Sequence, residues 1–298
     1  MFPLIAALAL LVAWSAPPLA APAPAQVAIE IPQPSDTVYE VRLGDGTVHV
    51  GQIVRRDADR LVLSTAGGVE VSVPIDRIVR IRPAEGRFVA GAYWPHDPND
   101  SRLFFGPTGR TLDAGDGYVA LYELFFPFIG YGAADWLTLA GGTMIFPDFT
   151  GEVVYLAPKA RVLRTEHAEV SLGVFALFGS RDVTAGSVGL LYGSGTFGSR
   201  DSAVTAGAAF PFAAGGGDTW MGDDPLLMVG GEHRVGRGIK LISENYFIPA
   251  EGFGALSGGV RFVGERLSAD GGLALGFGNG EFGCCLPLIN FVYNFGPR

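Results

Sequence analysis

From residue 117 to the C-terminus, apolar residues alternate with small or polar ones in segments of about ten residues. Longer and shorter linkers also alternate, with 278–286 and 214–224 among the longer and 266–267 and 236–237 among the shorter. This pattern is typical of membrane barrels with short turns at one end and longer loops at the other. The predicted strands are 117–126, 128–134, 136–146, 153–165, 168–180, 186–197, 202–213, 225–235, 238–248, 254–265, 268–277 and 287–295.

The fold class predicted for residues 117–298 is therefore all-β, an antiparallel transmembrane β-barrel of about 12 strands, with about 10–14 as the range. The parity of the linkers puts the C-terminus in the periplasm. The strand count depends on 128–134, which is short and separated from 117–126 by a single residue. If those two segments form one strand, the parity fails or another strand lies hidden in 85–116.

Charged residues within the predicted strands fall on one face of each strand. A charge on the lipid face near the bilayer midplane costs about 2–4 kcal/mol, so these side chains are expected to face the lumen. They could line a channel or a solute-binding interior, or form ion pairs that fill a narrow barrel. A barrel of about 12 strands lies between small filled barrels and wide porins, so both alternatives stay open. The predicted lumen residues are Lys159, Arg161, Glu232, Arg234, Lys240, Glu244 and Arg261.

The chain ends with LPLINFVYNFGPR, in which Ile289, Phe291, Tyr293 and Phe295 occupy every second position. The alternation predicts the closing strand of the barrel, with these four side chains facing lipid. The segment resembles the C-terminal signal by which outer-membrane barrels are recognised for insertion. That resemblance implies the barrel-assembly machinery and outer-membrane lipid as partners. The chain departs from the pattern in continuing past Phe295 for three residues.

Residues 37–84 contain five short alternating segments separated by turn signals such as GDG and GG. Five strands in so short a stretch fit a small closed barrel. The pattern D-G-T-x-x-x-G-x-I, L-V-L, V-x-V-P and I-x-x-I resembles Sm-like and SH3-like small barrels. Arg and acidic residues nearly balance here, so an RNA-binding role fits poorly. We expect a periplasmic module that contacts a protein, peptidoglycan or the mouth of the larger barrel.

The segments around this module have other compositions. Residues 1–20 have the length and small-residue ending of a secretory signal peptide, with an uncleaved anchor as the alternative. Residues 21–36 are rich in Pro and Ala and are expected to form an extended linker. Residues 85–116 lack periodicity but contain aromatic residues that need burial, so they predict an ordered connector.

The connector carries the pattern W-P-x-x-P-N-x-S/T-R-x-x-F-x-P. With this pattern, residues 93–295 resemble a family of uncharacterised bacterial outer-membrane β-barrel proteins. The resemblance implies the fold and an outer-membrane location, and it implies no activity. The matching residues are Trp94, Pro95, Pro98, Asn99, Ser101, Arg102, Phe105 and Pro107.

Composition and motifs give little evidence for a nucleic-acid, metal or disulfide site. A net charge of −9 argues against nucleic acid as a partner. Asp97, Asn99 and Asp100 do not have EF-hand spacing, so neither a metal nor another cofactor is expected. Cys284 and Cys285 are adjacent and give no disulfide framework; a vicinal disulfide and two small apolar residues are the alternatives.

Three functions remain open from the sequence. The first is a non-enzymatic outer-membrane barrel, either a narrow pore or a solute-binding barrel. The second is a structural or assembly protein with a filled barrel, whose periplasmic module binds a partner. The third is a lipid or peptide hydrolase at the rim, which would need His233 or Asp224 for turnover. A soluble secreted β-protein is the alternative at the level of the fold.

Overall fold

The computed structural model describes residues 31–35, 37–84, 86–146, 153–179, 186–215, 217–264, 266–278 and 280–296. Regular structure in these ranges consists of β-strands and of short 3-10 helices at Ala66–Gly68, Ile75–Arg77 and Pro249–Glu251. In the same ranges, no helix is long and apolar enough to cross a membrane. The predicted signal peptide, 1–20, lies outside the described residues, as does most of the linker 21–36.

The N-terminal module is an antiparallel sheet of 5 strands, which confirms the strands expected in 37–84. Their spatial order places β5 beside β1, so the sheet runs β4-β3-β2-β1-β5. Its core is apolar, and Val41, Leu61 and Leu63 are completely buried there. The strands are β1 (Val38–Leu43), β2 (Val48–Arg56), β3 (Arg60–Thr65), β4 (Glu70–Pro74) and β5 (Ile78–Pro83).

A small hairpin, β6 (Gly86–Val89) and β7 (Ala92–Pro95), follows the sheet. It touches the sheet through a hydrogen bond of 2.6 Å from Gly67 N to Gly91 O. It touches the barrel through Arg87, whose Nε lies 2.7 Å from Oδ2 of Asp201. The hairpin therefore joins the N-terminal sheet to one end of the barrel.

The remaining strands form a closed antiparallel barrel of 12 strands, as predicted. Two barrel strands consist of two pieces each, because β11 and β12 both pair with β10 and β13, and β16 and β17 both pair with β15. The pieces are β8 (Gly117–Tyr122), β9 (Phe126–Ala134), β10 (Leu137–Thr143), β11 (Val153–Leu156), β12 (Lys159–Arg164), β13 (Ala168–Gly179), β14 (Gly186–Gly198), β15 (Ser202–Gly215), β16 (Asp218–Met221), β17 (Leu226–Gly236), β18 (Ile239–Ile248), β19 (Phe253–Phe262), β20 (Leu267–Gly278) and β21 (Glu281–Phe295).

The barrel closes where its first strand, β8, pairs with its last, β21. The tight turn after β8 separates it from β9, and Glu123 and Leu124 have φ of 48° and 64° there. Glu123 N donates to Ile289 O at 2.9 Å, and the Glu123 carboxylate accepts from Ile289 N at 3.2 Å. Glu123 therefore extends the ladder beyond the end of β8 with one backbone and one side-chain hydrogen bond. The prediction that 117–126 and 128–134 contain separate strands is confirmed.

Two of the longer linkers are shorter in the structure than the sequence suggested. Most of 278–286 and much of 214–224 pair as strands, for example Phe277 with Phe282 and Phe212 with Met221. Glycines and small polar residues there resemble a loop in composition, but their backbone groups satisfy one another across a hairpin. The hairpins thus extend the barrel wall where loops were expected.

The outer surface of the barrel is apolar, and the buried charged side chains lie in its interior. Leu172, Val162 and Phe291 are exposed on the outside, whereas Lys240 and Arg261 are completely buried inside. Soluble domains have the reverse arrangement, and membrane barrels have this one. On β21, Ile289, Phe291 and Tyr293 are exposed, and Phe295 packs over Gly117.

Candidate ligand cavity and lumen plug

The connector does not remain outside the barrel. Residues 95–113, here called the plug, fold into the lumen as a hairpin-like loop with Leu103 N donating to Gly106 O at 2.9 Å. Leu103 and Phe104, at its tip, are completely buried. The expected order of this segment thus comes from its insertion into the barrel.

Both ends of the plug lie at the barrel end that holds Gly117 and Phe295, here called the C-terminal mouth. Arg234, near the end of β17, donates from Nη1 to Pro95 O at 2.5 Å. After the plug, Gly115 N donates to Gly132 O, near the end of β9, at 2.8 Å. The plug therefore enters and leaves through one mouth, and its tip points toward the opposite, far mouth.

A chain of buried ion pairs fixes the lower part of the plug. Asp97 lies 2.7 Å from Nζ of Lys240 and 3.4 Å from Nη1 of Arg261. Lys240 also lies 2.9 Å from Glu232, which in turn lies 2.6 Å from Arg110 of the plug. Because carboxylates and cations alternate along the chain, each buried charge has a counter-charge.

A second buried cluster holds the tip of the plug. The Asp270 carboxylate accepts hydrogen bonds from Nη1 of Arg102 and from Nε of Arg261, each at 2.7 Å. Asn290 donates from Nδ2 to Phe104 O at 3.2 Å. The tip is thus bound by β19, β20 and β21.

The other lumen residues expected from the sequence also meet the plug or its neighbours. Lys159 donates from Nζ to Ser101 O at 2.7 Å and to Thr108 O at 3.1 Å. The Glu244 carboxylate accepts from Phe105 N and Gly106 N, each at 3.0 Å. Arg161 pairs with Glu169 at 2.8 Å. All seven residues predicted for the lumen face the interior, and they contact protein groups there.

Small hydroxyl residues bind the plug backbone, and the sequence reasoning missed them. Ser171 donates to Gly109 O at 2.7 Å, and Ser194 donates to Thr108 O at 3.0 Å. Thr196 Oγ1 accepts from Gly109 N at 2.8 Å. The sequence carries only a weak signal for them, because a small hydroxyl on an inward strand face can bind either water or a backbone group. Gly109 is required here, because a Cβ would lie 2.0 Å from Glu169 O.

Two plug side chains have strongly shifted pKa values. Burial alone would raise the pKa of Asp97, but Lys240 and Arg261 outweigh it and hold that pKa well below its usual range. Burial lowers the pKa of His96 to about 4, Asp100 raises it in part, and Arg200 lowers it further. Arg200 donates from Nη1 to Nε2 of His96, so that nitrogen carries no proton.

A cavity of about 540 Å³ lies between the plug tip and the far mouth. One side is a wall of aromatic rings from β8, β9, β11 and β13. Tyr118 and Tyr122 both pack on Phe128, with ring centroids 6.1 and 5.5 Å away. The wall continues through Tyr155, 5.6 Å from Phe128, to Phe175, 5.8 Å from Tyr155. The other sides carry apolar residues such as Leu177, Leu190, Leu226 and Met228. The plug closes the cavity below with Phe105 and Pro107.

Two cations line this mainly apolar cavity. Arg102 belongs to the plug and Lys159 to β12, and their exposures are only 4% and 5%. The Arg102 guanidinium lies 5.2 Å from the centroid of the Tyr122 ring, a cation–π contact. Glu123, whose carboxylate is bonded to Ile289, also lines the cavity. The site can therefore combine apolar burial with a positive charge at one end.

The structure brings together no recognisable hydrolase site from the sequence candidates. His233 faces outward and its Nδ1 lies 3.1 Å from Ser202 Oγ, a pair that the sequence reasoning missed. Asp224 precedes Leu226, the first residue of β17, whereas His233 lies roughly 23 Å further along the strand at about 3.3 Å per residue. Among the described residues, no group of His, Cys, Asp and Glu could hold a metal ion.

Comparisons with known proteins yield outer-membrane porins of low similarity. No protein-family model and no curated protein matches the chain. The KdgM porin, solved in complex with disordered oligogalacturonate, aligns with 62% of this chain and 99% of its own at 7% identity and a TM-score of 0.43. The NanC porin aligns with 62% of this chain and 100% of its own at 9% identity and a TM-score of 0.41.

OccK5 (OpdH) of Pseudomonas aeruginosa aligns with 88% of this chain and 96% of its own at 9% identity and a TM-score of 0.34. These scores are too low to transfer a function. The function must therefore be argued from the barrel, the plug and the cavity.

Proposed function

We propose that this chain is a non-enzymatic outer-membrane barrel that binds a solute in the cavity above its own plug. The observation that carries the proposal is the cavity itself, about 540 Å³ of mainly apolar space inside a barrel. Its size falls within the range of about 300–1,000 Å³ typical of ligand pockets. The lumen charges serve to hold the plug, so an open pore would require the plug to move.

An outer-membrane location is supported by the barrel surface. Large apolar side chains such as Val162, Leu172 and Phe197 stand exposed around the outside, where a soluble protein would expose polar groups. Closed barrels leave no unpaired strand edge, which a bilayer requires. Ile289, Phe291, Tyr293 and Phe295 then form the insertion signal read by the barrel-assembly machinery.

The N-terminal sheet is placed in the periplasm by this proposal, at the C-terminal mouth. Its strand order and its 3-10 turn before β5 support an SH3-like or Sm-like small barrel. The pair between Arg87 and Asp201, at 2.7 Å, favours a second function as an envelope scaffold, because it holds this region at the barrel mouth. A periplasmic protein or peptidoglycan would then be the partner.

Ligand binding tests the first function directly. The protein in lipid nanodiscs is incubated with tritiated 1-dodecanol, and bound ligand is measured by scintillation proximity with empty nanodiscs subtracted. Saturable binding at one site is expected. Ala209 lines the cavity, so Ala209→Trp should fill it and abolish binding while the heat-dependent gel shift of the folded barrel remains. Absence of saturable binding to the folded wild-type protein overturns the solute-binding function.

Conductance across a planar bilayer separates the pore from the plugged barrel. The folded wild-type protein is expected to be silent, since buried ion pairs hold the plug in the lumen. A reproducible step with ion preference in the wild-type protein would establish a narrow pore instead. Silence combined with no ligand binding would favour the scaffold, which crosslinking from residues 37–84 to an envelope partner would then identify.

A rim hydrolase is the function that the geometry supports least. Ser202 and His233 are adjacent, but no described residue contacts the second ring nitrogen of His233 to orient it as a base. We expect no turnover of lipid or peptide substrates, and no change on His233→Ala or Asp224→Ala. Hydrolysis that is lost in either variant would reverse this conclusion.

A further inference from the structure

The cavity carries a feature that an apolar solute alone does not require. Arg102 is 4% exposed and lines the cavity at the plug. Its Nη1 donates to Leu103 O, Phe104 O and Asp270 Oδ2 at 2.9, 2.9 and 2.7 Å. Within the described part of the chain, its Nε and Nη2 are buried and have no hydrogen-bond partner.

Nε and Nη2 form one edge of the guanidinium, with two parallel N–H groups. This edge matches the two oxygens of a carboxylate, which accept from it as a bidentate pair. Buried donors without an acceptor are rare, because each lost its hydrogen bond to water on folding. Among the described residues, two buried donors of Arg102 therefore lack an acceptor, beside the cavity that this residue lines.

The charge around this edge favours an anion. Within the described ranges, Asp270 is the only carboxylate paired with Arg102, and it also pairs with Arg261. Lys159 also lines the cavity, and its Nζ contacts only the neutral carbonyls of Ser101 and Thr108 among the described residues. Both cations that line the cavity therefore lie at its plug side, next to the aromatic wall.

We propose that the cavity binds a monocarboxylate with a long apolar body, such as a medium- or long-chain fatty acid. The carboxylate accepts from Nε and Nη2 of Arg102, and Lys159 lines the same cavity. The apolar chain lies along the aromatic wall that begins at Tyr122. This inference rests on the proposed solute-binding function and specifies the ligand class of the same site.

The test compares two ligands that differ only in the head group. Tritiated dodecanoate and 1-dodecanol are titrated onto the wild-type protein in nanodiscs at pH 8, where the acid is ionised. Dodecanoate is expected to bind at least tenfold more tightly than the alcohol. Arg102→Lys keeps a cation beside Asp270 but removes the two-pronged edge. This substitution should weaken the binding of dodecanoate about tenfold and leave the binding of 1-dodecanol unchanged.

Arg110→Gln serves as the matched control. Arg110 is also a buried plug arginine paired with a carboxylate, Glu232 at 2.6 Å, but it does not line the cavity. It should leave the ratio of the two affinities unchanged. If both variants lose dodecanoate affinity to the same extent, the effect comes from a disturbed fold of the plug. That result would overturn the inference.

The remaining outcomes separate the carboxylate inference from the proposed solute-binding function. Equal affinity for dodecanoate and dodecanol in the wild-type protein, unaltered by Arg102→Lys, overturns the carboxylate inference and leaves the solute-binding function standing. Saturable binding of neither ligand overturns both.

Discussion

Lys240 Nζ lies 2.7 Å from Asp97 Oδ2, and neither side chain is accessible to solvent. One residue belongs to the barrel wall and the other to the plug, so this pair joins the two parts in the interior. Removing one partner of a buried pair leaves an uncompensated charge and costs about 3–5 kcal/mol.

We therefore expect Lys240→Met to lower the free energy of unfolding of the barrel by about 3–5 kcal/mol. The measurement is urea-induced unfolding in lipid vesicles. Arg55→Met is the control, because its pair with Asp57, at 3.3 Å, is largely exposed and should be worth less than about 1 kcal/mol. Equal effects of the two substitutions would show that the buried pair does not hold the plug.

Stability of the plug should fall in mild acid. His96 has a pKa of about 4 when folded, because it is buried beside Arg200 despite the nearby Asp100, against about 6.5 in an unfolded chain. Between these values the unfolded chain binds a proton that the folded chain does not. Stability is therefore complete above pH 6.5 and declines by roughly 3 kcal/mol as the pH approaches 4.

The experiment is the unfolding midpoint measured from pH 7.5 to pH 4.5. Asp97 stays ionised across this range, because its pKa is held well below its usual value. His96→Gln should flatten the profile. A variant that declines as steeply as the wild-type protein would assign the pH dependence to other groups.

The close packing of Gly109 against the barrel wall should keep the plug in place and the lumen closed. A Cβ at this position would lie 2.0 Å from Glu169 O in the barrel wall, so Gly109→Ala should displace the plug. The expected result is conductance steps in a planar bilayer where the wild-type protein is silent. Gly271→Ala in β20 is the control, because a Cβ there meets no atom within 4 Å. Conductance in neither variant would mean that the plug adapts without opening a path.

A charge on the outer face of the closing strand should hinder membrane insertion. Phe291 is exposed on β21, and a cation facing lipid costs up to about 2–4 kcal/mol depending on depth. Phe291→Arg should reduce the folded, heat-modifiable fraction in outer membranes, whereas Phe291→Leu should not. Equal yields of the two variants would argue that this face does not meet lipid.

The regular parts of the fold were predictable, because strand alternation is a local property of the sequence. The alternation around Lys159, Glu232 and Lys240 predicts inward side chains, and all three are buried in the structure. It could not predict what they meet there. Asp97 and its partner Lys240 are far apart in sequence, and the plug has no periodicity that would place it inside the barrel.

The candidate cavity was not predictable for a related reason. Its lower end exists only because Arg102 and Phe105 enter the lumen, and its wall joins rings from strands as distant as β8 and β13. In the sequence, the connector and the barrel have separate patterns, and neither pattern indicates that they meet. The hydroxyls of Ser171 and Ser194 bind plug carbonyls in the lower lumen, but in the sequence they would fit water equally well.

The two ends of the plug share one mouth, and this has a mechanical consequence. A loop that enters and leaves by the same opening can be drawn out without threading an end through the barrel. Its N-terminal end continues into β7 and then to the five-stranded sheet, while its C-terminal end is fixed to β8. Tension applied to that sheet would therefore peel the loop from its first ion pair, at Asp97, toward its tip. The sheet would transmit the pulling force to the plug, while the barrel stays in place.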